Sequence, residues 1–296
     1  MVLDERTKKY LKIFALLAIV LLLTGCTNNL DAHGKLKASR AITEATKWSP
    51  KAGFFDFILV IPIAKGILWL NGLTGNILWG VIGMTILINL IILPFMIKST
   101  VSSQKMQMIQ PEMEKIQDKY KGKNDQASQL RMSAEIQDLY KKNNISMLSS
   151  FATFLTLPIM FAMWSAVQRV EILYTSTAFG LNLGKTPMSA IASGLWGYII
   201  LIAIMGFSQW IAIEINNIML KRNPNYKESK QQKQMKSMNW IMVAMIVYFG
   251  LTMPAAMSFY WITTNVITVI RTIFIQIYFV EKADEEKKKK DANVIR

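Results

Sequence analysis

Apolar runs long enough to cross a hydrocarbon core alternate along this chain with short charged stretches. The longest runs from Trp240 to Val280, is interrupted at Met253-Pro254, and holds one basic side chain, Arg271. About forty residues of helix reach roughly 60 Å, enough to cross a core of about 30 Å twice. With the earlier apolar runs, the pattern predicts five membrane-spanning helices, at 76–98, 147–168, 189–218, 239–253 and 256–280. Residues 53–75 interrupt their apolar side chains with Asp56, Pro62 and Lys65, and read as a helix lying in the outer interface.

Residues 99–146 follow a different rule. Met106, Ile109, Met113, Ile116 and Tyr120 recur at spacings of three and four, a narrow apolar seam on a charged helix. Lys121-Gly122-Lys123-Asn124-Asp125 is a turn signal. A second helix over 126–142 would turn Met132, Ile136 and Leu139 toward the first. The pattern predicts a helical hairpin outside the membrane.

Composition agrees with a membrane protein: 296 residues, 52% hydrophobic, mean hydropathy +0.28. The net charge of +15 is concentrated in short loops beside the spans, which points to topology rather than to nucleic acid as a direct ligand. The 219–238 loop carries Lys221, Arg222, Lys227, Lys230, Lys233 and Lys236 against the single acid Glu228, and the 281–296 tail ends in a Lys287–Lys290 run. Both belong on the cytoplasmic side, where the tail can touch anionic lipid. The 169–188 loop has little positive charge and belongs outside, with the amino terminus.

Residues 1–25 read as an export signal, with Lys8, Lys9 and Lys12 ahead of a short apolar run from Ile13 to Leu22. Leu23-Thr24-Gly25-Cys26 resembles a lipoprotein cleavage site, which would make Cys26 a lipid attachment point and 26–52 an extracellular tether. The alternative is an uncleaved anchor helix. Cys26 is the only cysteine and His33 the only histidine, so no internal disulfide or multi-cysteine metal site can form. Lys35, Lys37, Arg40, Lys47 and Lys51 in the tether run against the charge rule, and an export signal can carry them across.

Candidate chemistry lies where polar side chains interrupt the spans, because lipid offers them no partner. Thr85 and Asn89 share a face of the first span, Thr156 lies in the second, and Thr264 and Asn265 lie in the fifth, after Thr263. Asn89 comes nine residues before Lys98 and Arg271 ten before Glu281, which places both about 13–15 Å inward from the cytoplasmic side. Thr85, Asn89, Thr156, Thr264, Asn265 and Arg271 are therefore the candidate lining of a wet recess. Each has a plainer reading: interhelical hydrogen bonds for Asn89, back-bonding to their own helix for the threonines, and snorkelling or pairing with Glu214 for Arg271. Nineteen methionines suit a surface accepting varied apolar segments, or are ordinary filler. No phosphate loop and no nucleophile–base pair appears, so the reading is a non-enzyme with no cofactor.

Three stretches resemble the YidC/Oxa family of membrane-protein insertases, in its short lipoprotein form. They are Leu93-Pro94-Phe95-Met96-Ile97-Lys98, Met108-Ile109-Gln110-Pro111-Glu112-Met113, and the run from Pro254 to Asn265. The resemblance implies an all-α membrane protein, five transmembrane helices enclosing a hydrophilic groove, with a cytoplasmic helical hairpin. It also implies nascent membrane proteins as cargo and the plasma membrane as location. The Sec translocon, the ribosome, the signal recognition particle pathway and membrane lipids are the candidate partners. Two positions depart from the family. Asn89 stands where an arginine is usual, and Ile145 to Ala152 lack the usual Asn-Pro and Gly-Cys-x-Pro. The first departure raises the expectation that Arg271 supplies the missing charge. Two rival readings are an assembly partner of a translocon or secretion system that has lost insertase work, and a solute transporter. The second lacks the internal repeat that transporters commonly show.

Overall fold

A computed structural model describes residues 29, 36–123, 125–145, 152–223 and 226–281. Cys26, His33, the Lys287–Lys290 run and residues 146–151 lie outside these. Among the described residues the fold is helical apart from one two-residue antiparallel ladder, β1 (Thr177–Ala178) with β2 (Leu181–Asn182). Five helices among the described residues are long and apolar enough to cross a membrane: 56–74, 77–108, 197–221, 232–252 and 255–280.

The chain divides into two compact units, the first comprising residues 1–87, 154–198 and 252–260. Its first long helix, α1, opens as a π-helical stretch over Asp56–Val60 and continues as Ile61–Thr74. Gly75 ends it with φ +69°, a left-handed turn that glycine adopts without strain. Asn76 then caps α2 (Ile77–Met108), its Oδ1 accepting from the Leu78 N–H at 2.9 Å. The two helices meet closely. A Cβ on Gly80 would stand 2.5 Å from the carbonyl oxygen of Ile67, so only glycine permits this approach. Val60, Ala64 and Ile67 on α1 and Val81 on α2 are fully buried.

The same unit holds most of α5 (Ala152–Arg169) and the loop after it. Gln168 and Arg169, at its end, are 8% and 6% exposed. Arg169 Nη1 lies 2.6 Å from Asp56 Oδ2, and its Nε donates to the Arg40 carbonyl at 2.8 Å. A short bridge between Ile42 and Val170 joins the tether to this network. The loop that leads into the short helix α6 (Pro187–Ala192) supplies carbonyls to the start of the helix at Ala255–Ile275. The N–H groups of Ala255 and Ala256 donate to Lys185 and Leu183 at 2.9 and 3.0 Å, so a buried helix end keeps its first donors satisfied.

The second unit comprises 88–153, 199–251 and 261–296. Helix α2 continues past Lys98 to Met108, 32 residues in all, and Pro94 does not end it. The hairpin follows as α3 (Gln110–Lys119) and α4 (Gln126–Lys142), with Asp125 capping α4 through the Ser128 N–H at 2.8 Å. Ile109, Leu139 and Ile145 form its small core, with Met106, Met113, Ile116 and Tyr140 packed around them. Helices α7 (Gly197–Lys221) and α8 (Lys230–Thr252) pack where Gly206 faces Val247 and Gly250 faces Met205. Helix α9 (Ala255–Ile275), with a π-helical continuation over Gln276–Glu281, is the last element of the described residues.

Four of the five long apolar helices contain stretches expected to span. The fifth is α1, expected in the interface, whereas α5 is 18 residues long, carries Pro158, and is not among the five.

Candidate functional site

Helix α9 is built inside out. Ser258, Asn265, Thr272 and Gln276 are 0%, 5%, 6% and 2% exposed, and at 100° per residue they fall within about 40° of arc. Val266, Ile270, Phe274 and Ile277 are 42–62% exposed on the other side. Polar groups turned inward and apolar groups outward suit a helix in lipid, where the bundle interior is the place for hydrogen bonding.

Asn265 has a definite partner inside the second unit. Its Nδ2 donates to Ser208 Oγ on α7 at 3.0 Å, and that hydroxyl donates to the Met205 carbonyl at 2.8 Å. Such a link joins two helices by a bond worth about 0.6–1.7 kcal/mol. Asn265 therefore plays the interhelical part that sequence reasoning weighed for Asn89.

Arg271 and Asn89 come together. Nη1 of Arg271 stands 3.5 Å from Oδ1 of Asn89, at the long limit of a hydrogen bond, and the arginine Nε is buried with no hydrogen-bond partner among the described residues. Glu214, the other partner weighed for Arg271, accepts from Asn217 Nδ2 at 3.0 Å instead. It lines a cavity of about 90 Å³ with Lys236, Asn239, Trp210 and Trp240. Thr264, half-buried, is seven residues from Arg271 and so on the same side of α9.

Thr85 belongs to the first unit, is 1% exposed, and donates its hydroxyl to the Val81 carbonyl at 2.7 Å, the back-bonding arrangement. The side chain of Thr156 and the whole of Cys26 lie outside the described residues.

Buried polar side chains also occur where sequence reasoning named none. Ser99, Ser102 and Gln104 on the extension of α2 beyond Lys98 are 5%, 7% and 2% exposed, and neither amide atom of Gln104 has a hydrogen-bond partner among the described residues. The seven-residue spacing of Ser258, Asn265 and Thr272 was a usable signal. Gln104 gave none, because a glutamine in a charged helix ordinarily faces water. Among the described residues no cluster of His, Cys, Asp or Glu could hold a metal ion.

The chain matches the family model described as 60Kd inner membrane protein over residues 69–282. It is 32% identical to "Membrane protein insertase YidC 2" of Lactiplantibacillus plantarum, over 96% of this chain and 91% of the relative. It is 32% identical to "Membrane protein insertase MisCA" of Bacillus subtilis, over 79% and 84%. It is 28% identical to "Membrane protein insertase YidC 2" of Listeria innocua, over 95% and 88%. With this match across most of its length and a predominantly helical fold, the chain belongs to the 60Kd inner membrane protein family, the YidC/Oxa membrane-protein insertases.

Proposed function

We propose that this protein is a membrane protein insertase that helps small integral membrane proteins, and lipoproteins, enter and fold in a bacterial plasma membrane. The substrate's own apolar span, roughly 20 residues, supplies the driving force by partitioning into lipid. The protein lowers the barrier for the polar flank, which in lipid alone would lose its hydrogen bonds. The observation that carries this reading beyond kinship is the placing of Arg271 on α9 against Asn89 on α2, both half-buried. In that reading a guanidinium with an unsatisfied Nε draws an acidic flank part-way into the membrane.

Helices α2, α5, α7, α8 and α9 cross the membrane in this account, and α1 lies against its outer surface. Lys65, midway along α1, donates to the Glu44 carbonyl at 3.1 Å, a contact with polar chain that a helix passing through lipid would not make at its centre. The cleavage-site pattern supports lipid attachment at Cys26, and the basic 219–238 segment and tail support a cytoplasmic side facing ribosome, signal recognition particle or Sec partners. Thr264 and Asn265, in the same unit as Arg271 and Asn89, complete the groove lining in this proposal.

Vesicles containing only this protein test it. A small single-span protein with a short acidic outer flank inserts above the level of protein-free vesicles; insertion no better than that background refutes the reading. Asn89, in place of the family's arginine, favours a second reading, a specialised assembly partner. Rescue of a strain depleted of its housekeeping insertase separates the two, since only an insertase restores growth.

A further inference from the structure

Pro111 removes a backbone donor where the hairpin leaves α2. In an unbroken helix the N–H of residue 111 would close on the carbonyl of Gln107, four residues earlier; a proline has no N–H and crowds that carbonyl instead. The helix breaks at Ile109, with φ −89° and ψ 0°, and the Gln107 carbonyl is left for another donor. The donor comes from 125 residues away: Nε2 of Gln232 lies 3.1 Å from the Gln107 oxygen.

Gln232 already has work at its own helix. Ser229 caps α8, its Oγ accepting from the Gln232 N–H at 3.1 Å, while the Ser229 N–H donates to Gln232 Oε1 at 2.8 Å. This reciprocal pair is a capping box, and Ser229 is 2% exposed within it. The hydroxyl of Tyr226 approaches the same Oε1 at 3.4 Å. The chemistry fixes which way the amide points: its oxygen must face the Ser229 N–H and its nitrogen the Gln107 carbonyl. One side chain thus divides its two ends between the basic segment 219–238 and the root of the hairpin. A carboxylate could cap but not donate, and an ammonium could donate but not cap.

We propose that Gln232 is a positioning residue for insertion, coupling the basic cytoplasmic segment to the hinge at Ile109 so that the segment's state sets the hairpin's orientation. The role in insertion rests on the insertase reading above; the coupling does not. A partner that draws Tyr226–Ser229 away withdraws the donor from Gln107 and frees the hinge.

Hydrogen exchange on the full-length protein in vesicles separates the two ends of the amide. Gln232→Glu keeps the capping acceptor and loses the donor. It speeds exchange about three- to tenfold at the Ile109, Glu112 and Met113 amides, leaves the first turn of α8 unchanged, and slows insertion. Gln232→Lys does the reverse, loosening the first turn of α8 while the hinge and the insertion rate hold. Hinge exchange unchanged in Gln232→Glu, or loosened equally in both variants, overturns the coupling. If the native protein shows the expected exchange pattern yet inserts nothing, the insertase reading falls and the coupling stands.

Discussion

Nη1 of Arg271 on α9 and Oδ1 of Asn89 on α2 lie 3.5 Å apart, although 182 residues separate them. An asparagine cannot neutralise the guanidinium; it can only accept from it. Asn89 orients the guanidinium without neutralising it, which distinguishes this pair from the Arg169–Asp56 ion pair of the other unit.

If Arg271 carries the groove's charge, its place on α9 rather than α2 should be immaterial. Arg271→Gln is expected to lower insertion of acidic-flanked substrates about tenfold and leave neutral-flanked ones nearly unchanged. Adding Asn89→Arg to that variant should restore most of the loss. Vesicle insertion with paired acidic and neutral flanks measures both effects.

The α1–α2 contact gives a stability prediction with an internal control. Gly80→Ala drives a Cβ against the Ile67 carbonyl, backbone that cannot swing aside, and should cost about 1–3 kcal/mol. Gly72→Ala has open space around its new carbon and should be neutral or slightly stabilising, since alanine is the better helix former. Thermal unfolding of the two variants in detergent compares them.

The Arg169–Asp56 pair is nearly closed to solvent, with side chains 7% and 16% exposed. Removing one partner strands the other, so Asp56→Ala should destabilise by about 3 kcal/mol or more. The double variant Asp56→Ala, Arg169→Met should recover part of that loss. A double-mutant cycle on thermal stability measures it.

The hairpin tip should respond to pH at both extremes. Hydrogen bonds from Lys119 at 2.6 Å and Tyr120 at 2.7 Å hold the Glu135 carboxyl below its ordinary 4.5, while Glu135 raises Lys119 and Tyr120 above their ordinary 10.5 and 10.0. A lowered carboxyl contributes order present above about pH 4.5 and lost as pH falls through its folded value. The raised groups contribute order present below about pH 10 and lost as pH rises past their folded values. The tip should therefore be steady from about pH 5 to 9 and loosen on either side, with the effect abolished in Glu135→Gln. Hydrogen exchange over 117–135, corrected for its intrinsic pH dependence, measures this.

Local periodicity and local turn chemistry made the hairpin legible. Its second helix covers 126–142, the stretch outlined by the seam and the Lys121–Asp125 turn. The end of α2 was less legible. Apolarity stops at Lys98, but helicity continues to Met108, because Ser99–Met108 contains no breaker and the first one is Pro111. The common depth of Asn89 and Arg271 could be counted from the sequence, and the structure places them in contact. The Asn265–Ser208 bond could not, since it requires knowing which face of α7 meets α9. Gln232 was hidden for the same reason: its capping box is local, but its second bond crosses 125 residues.

Water should reach the half-buried polar positions around Arg271 and Asn89 from the cytoplasm. Cysteines placed singly at Asn89, Thr264, Val266 and Ile270, probed in oriented vesicles with a membrane-impermeant maleimide, test it most directly. Rapid labelling at 89 and 264 from the cytoplasmic side, with none at 266 and 270, is the predicted result. Equal silence at all four positions, or labelling only by a lipid-soluble reagent, would contradict the account.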